Sequence, residues 1–206
     1  MKLYLRTIKI LQTAFLGISI LLMLTLPLLL VFRPELITDK TILWLYGISH
    51  LAVFFVMCIR PLADLFRGTT LIRPLVILRK EVGVLSASII VSFILSKTIV
   101  DPFGYIASLG TFPYWSMTNF ALFAHLADVS AVILIVTSNN LSKKVLGGWW
   151  KKIQKLSYVY FYASSLYVLL VLTDYWMLLS MFIVTTLTVL AYVKNKEMRN
   201  LRAQAL

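Results

Sequence analysis

Two histidines and one aspartate stand inside stretches that are otherwise apolar. His50 lies about nine residues into one such stretch, His125 about ten residues into another, and Asp128 follows His125 by three. Ionisable groups at membrane depth are costly and usually face a bundle interior. Both stretches run in the same direction, so at 1.5 Å per residue each imidazole is expected ~13–15 Å below one membrane edge. Two neutral imidazoles at one depth on different helices can bind haem iron from opposite faces, a coordination suited to electron transfer. The pair allows other roles as well: separate packing histidines, or a site for another ligand or a proton. Asp128 shares a helix face with His125. It could orient the imidazole by accepting its second N–H, or hydrogen-bond to a neighbouring helix. His50, His125 and Asp128 are therefore the candidate cofactor-binding residues, with haem b the candidate cofactor.

Other chemistry is absent. The single cysteine, Cys58, gives no CxxC pair or cysteine-ligated cluster. There is no Gly-rich phosphate loop, GxSxG or HExxH, and no room for an FAD or NAD module. Ser86, Ser88 and Ser92 recur along one apolar stretch, and Ser164 and Ser165 occur in another. Small hydroxyl residues of this kind permit close helix packing. No catalytic residue is identified.

The elements that must hold these residues are membrane helices. Of the 206 residues, 60% are hydrophobic and 14% are charged. Soluble domains are about half apolar and roughly a quarter charged, so a soluble globular enzyme is excluded. Crossing a bilayer takes roughly 17–25 apolar residues in a helix. Six stretches qualify: 10–32, 41–59, 82–100, 115–136, 156–172 and 176–193. The fold class expected is an all-α membrane bundle of one domain, four central helices flanked by two. The first stretch is too long for a signal-peptide core and lacks a small-residue cleavage site, so it reads as a retained span.

The net charge is +12. Seventeen of the 20 basic residues fall in the segments 2–9, 60–80, 143–155 and 194–202, all on one side of a six-span topology. That pattern places both termini in the cytoplasm and argues against nucleic acid, which needs a basic domain. Residues 63–80 are expected along the interface. Residues 141–155 hold five lysines with Trp149 and Trp150, suited to anionic lipid or to an acidic partner. Residues 101–115 read as an interfacial loop.

Several motifs carry a family resemblance. They are G-x-x-x-L-A at Gly47–Ala52, R-P-L at Arg60–Leu62, L-R-K-x-V-G-V at Leu78–Val84 and T-S-N at Thr137–Asn139. The longest is L-G-x-W-W-K-K-I-Q-K-L-S-Y at Leu146–Tyr158. Over residues 45–170 the chain resembles the ferric-reductase-like transmembrane superfamily, most nearly the six-helix haem-binding membrane subunit of the bacterial methionine-sulfoxide reductase system. The resemblance implies a prokaryotic plasma-membrane protein that passes electrons through b-type haem. Its partners would be a cytoplasmic flavin-protein donor and an extracytoplasmic redox acceptor. The family's haem histidines lie on the third and fifth spans; the matching positions here are Phe93, Gln154 and Tyr167. Three functions follow: an electron carrier with relocated ligands, a haem-free scaffold or partner-binding subunit, and a small proton-coupled transporter.

Overall fold

The computed structural model describes residues 2–69 and 71–204, without the side chains of Lys2, Asn119, Arg202 and Ala203. All regular structure among them is helical. The long helices are α1 (Lys2–Phe32), α2 (Asp39–Leu65), α4 (Arg79–Val100), α6 (Ala121–Thr137), α9 (Leu156–Leu172) and α10 (Tyr175–Gln204). Short helices lie between them: α3 (Ile72–Leu75), α5 (Pro102–Leu109), α7 (Asn140–Leu146) and α8 (Gly148–Ile153). Five helical stretches are long and apolar enough to cross a membrane. The pair α6–α7, bent by 94°, makes up to six.

Local chemistry marks the helix starts. The Thr38 hydroxyl accepts from the Thr41 N–H at 3.2 Å to open α2. Asp101 accepts from Gly104 N–H at 2.9 Å to open α5, with Pro102 at its first position. Asn139 accepts from Ser142 N–H at 2.6 Å to open α7. Each satisfies a donor that the first helical turn leaves free. Between α9 and α10 only Thr173 and Asp174 intervene. Thr173 adopts φ 55°, and Asp174 accepts from Trp176 N–H at 3.0 Å. The two helices form a tight hairpin, with the Tyr162 and Thr185 hydroxyls 2.8 Å apart across it.

Helices α2, α4, α6 and α9 make a closed ring in which each packs on the next. α1 lies against α4, and α10 against α2 and α9. The expected arrangement of four central helices with two flanking ones is observed. Small residues sit where the ring helices meet: Ala87, Ala127, Ala131 and Ala163 are buried in the main core cluster. Ser86, Ser88 and Ser92 on α4 are fully buried, and Ser92 donates across to the Leu22 carbonyl of α1 at 3.3 Å. Large apolar side chains face outward instead; Leu24, Leu51 and Phe182 are each more than 60% exposed. Apolar surface of that extent belongs against lipid.

Both chain ends lie at one end of the bundle, called here the basic end. Tyr4 donates to the Leu71 carbonyl at 2.6 Å, and Lys194 to the Leu65 carbonyl at 2.6 Å. Arg67 donates to the Asn195 side chain, which donates to Asp64 at 3.2 Å. Two segments depart from expectation. Residues 101–115 include a helix, α5. The fourth span starts at Ala121 rather than 115, because Pro113–Trp115 and Thr118–Phe120 form 3-10 turns and Phe120 takes φ 57°.

Candidate functional site: intramembrane polar groups and a basic cavity

The later start of α6 changes where its ionisable residues sit. His125 lies one turn into α6, whereas His50 lies three turns into α2. The two helices run in the same direction, and Leu134–Ile135 of α6 line one cavity with Val53 and Val56 of α2. That lining runs from Val53 to Arg60 and from Leu134 to Ser138, and the two imidazoles sit in different turns of their helices.

Their surroundings differ too. His50 Nδ1 meets the Tyr46 carbonyl of its own helix at 3.3 Å, and its Nε2 is buried with no hydrogen-bond partner. His125 stacks on Tyr114, with ring centroids 3.5 Å apart and an interplanar angle of 19°, and meets Trp115 edge-on at 6.1 Å. Its Nδ1 is also buried without a partner. Burial pushes the Tyr114 phenol above its ordinary value, and the neighbouring Tyr105 adds to the shift; the stacked partner of His125 therefore stays protonated. A bis-imidazole haem needs the two ligating nitrogens about 4 Å apart through one iron. In this arrangement each ring has its own neighbours: the Tyr46 carbonyl for His50, and Tyr114 and Trp115 for His125.

Asp128 does not orient His125. The ring turns to the Tyr114–Trp115 side, and its Nδ1 donates no bond to the carboxylate. Asp128 instead lies within electrostatic range of Tyr46, Tyr160 and Lys97. Among the described residues, no group of three or more His, Cys, Asp or Glu side chains is placed to hold a metal ion.

The centre of the ring is closed by a hydroxyl cluster that spacing did not reveal. Ser49 of α2 and Ser86 of α4 exchange hydrogen bonds with each other's carbonyls, at 3.0 and 2.8 Å. The Tyr160 hydroxyl of α9 lies 3.0 Å from both serine oxygens. All three residues are buried. Three helices are thus joined at one fully satisfied polar point.

From Tyr160 a cavity of about 630 Å³ extends toward the basic end. Its inner wall is apolar: Val53, Val56, Val84, Ala87, Leu134 and Ile135. Around it stand five cations, Arg60, Arg79, Lys80, Lys151 and Lys155, and no carboxylate. Arg60 and Arg79 are close enough to repel one another. Among the described residues the one ion pair is Arg33–Glu35, so none of the five has an acidic partner within salt-bridge distance. Glu81, the nearest acid in sequence, does not line the cavity, and its Oε2 is buried without a partner.

One wall is supplied by α8. Trp150 Nε1 donates to the Thr137 carbonyl at 2.9 Å, fastening α8 under the end of α6. Gln154 Nε2 adds a bond to Thr137 Oγ1 at 3.4 Å. Lys152 lies 4.1 Å over the Trp149 ring, leaving Lys151 and Lys155 to the cavity. By sequence, Arg60, Arg79 and Lys80 read as markers of topology, and Lys151 and Lys155 as suited to anionic lipid or an acidic partner, with nothing joining the two groups. The signal available was that the R-P-L, L-R-K and W-W-K-K-I-Q-K motifs would converge if their three helices were neighbours.

Fold and site together define a multi-pass helical membrane bundle with a basic cavity at the end that holds both termini. No protein-family model, no curated protein and no solved structure matches the chain.

Proposed function

We propose that the chain is a haem-free membrane subunit that works by binding, with the basic cavity as its site. The observation that carries this reading is the set of five cations without a carboxylate around one cavity. Arg79 is half-buried and the other four cations are exposed; like charges gathered around one cavity raise the free energy of the empty state, and an anion removes that cost. The volume lies within the range of ordinary ligand pockets. The positive-inside pattern puts this end in the cytoplasm.

Two measurements test the proposal. An absorption spectrum of detergent-purified protein, made with ample haem and reduced with dithionite, is expected to show no b-type bands. One haem per chain, lost in His50→Ala and His125→Ala, would restore the electron carrier in its place. Thermal unfolding in neutral detergent is expected to show stabilisation by added phosphate-bearing anions, worth about 2.7 kcal/mol at a hundredfold excess over Kd. In anion-free detergent Arg79→Gln is expected to unfold at a higher temperature than wild type, since it relieves repulsion with Arg60. Indifference of both proteins to every anion would sink the binding role.

A further inference from the structure

We infer that the cavity takes an anionic phospholipid, its phosphate between Arg60 and Arg79 and the start of an acyl chain along the apolar wall. The inference rests on the binding role proposed above and names its ligand. The two-part lining is the reason. A soluble phosphate compound would leave Val53, Val84 and Leu134 facing water, whereas a zwitterionic lipid would bring its own cation into a place that already has five. Position agrees with chemistry. Arg60 follows the apolar stretch 41–59 of α2, and Arg79 opens α4 ahead of the stretch 82–100. Taken as the membrane-crossing stretches, these set the guanidiniums at the level of lipid phosphates, with the apolar wall continuing toward the bilayer centre. Guanidinium groups suit phosphate because their donors form a planar fork, and basic pockets between membrane helices on the cytoplasmic side bind acidic headgroups. Trp150 and Tyr158, which also line the cavity, place amphipathic rings at the headgroup boundary.

Native mass spectrometry of the full chain, released from neutral detergent, tests this with three probes: phosphatidylglycerol, phosphatidylcholine of the same acyl length, and glycerol phosphate. One phosphatidylglycerol per chain is expected, preferred over phosphatidylcholine by tenfold or more, with glycerol phosphate failing to compete. The Arg60→Gln/Arg79→Gln double variant is expected to lose the preference. A Lys143→Gln/Lys144→Gln variant, altered outside the cavity, is expected to keep it. Val84→Phe obstructs the apolar wall and leaves the guanidiniums, so it is expected to weaken phosphatidylglycerol by tenfold. If glycerol phosphate binds as well as phosphatidylglycerol, and Val84→Phe affects neither, the binding role survives and the lipid assignment fails. Equal retention of the two lipids overturns the assignment. If none of the three probes binds wild-type protein, assignment and binding role fall together.

Discussion

Ser49, Ser86 and Tyr160 satisfy one another inside a low-dielectric bundle, and each removal has a distinct expected cost. Tyr160→Phe leaves the reciprocal serine pair intact and should cost about 1 kcal/mol. Ser86→Ala removes a bond to the Ser49 carbonyl and a partner of Tyr160, and should cost about 1–3 kcal/mol. Ser86→Leu should be worst, because the fully buried site has no space for a branched side chain. Thermal unfolding of the three variants in one detergent checks the order; an undisturbed Ser86→Leu would show that the helices do not meet there. Asp128 offers a contrast. Among the described residues its carboxylate takes part in no hydrogen bond and no ion pair, so Asp128→Asn should keep or raise stability. A loss above about 2 kcal/mol would mean that the carboxylate has a strong partner. At this scale the sequence showed what is rare and hid what is common. His50 and His125 drew attention because they are the only histidines. Ser49 did not, because serines in membrane helices are ordinary and only the crossing of α2 on α4 makes this one central.

Among the elements, α9 has the bounds 156–172 that hydropathy predicts, since Thr173 and Asp174 stop it. The fourth span does not, because the chain makes the 3-10 turns Pro113–Trp115 and Thr118–Phe120 before α6 begins. With α6 starting at Ala121, His125 lies in its second turn, stacked on Tyr114. The segment α7–α8 was legible as basic and amphipathic, but its attachment depends on a tertiary bond. Trp150→Phe keeps the ring and deletes the indole donation to the Thr137 carbonyl, a loss of about 1 kcal/mol. Limited proteolysis should then cut faster within residues 140–155, with the six long helices still protected. Unchanged cleavage would place the hold on α8 elsewhere.

For the molecule as a whole, spans and charge bias were legible because both are summed over many residues. The cavity was not, because it needs α2, α4, α6 and α8 brought together. Orientation is open to direct measurement. In a Cys58→Ala background, Gly148→Cys lies at the basic end and Gly110→Cys at the other. Only Gly110→Cys should react with a membrane-impermeant maleimide in intact cells, and Gly148→Cys should react after lysis. The reverse pattern would invert the topology and put the basic cavity outside.

The 94° bend after Thr137 has a further effect. At 17 residues, α6 spans about 25 Å, against about 30 Å of hydrocarbon in an average bilayer. Its ring neighbour α9 also has 17 residues, whereas α1 and α2 have 31 and 27, so the shortfall lies on one flank of the protein. Lipid beside α6 must thin, or the molecule must tilt to lower that flank. The protein should therefore favour thin membranes, and the lipid that meets the α6 flank should be more compressed than the lipid around α1.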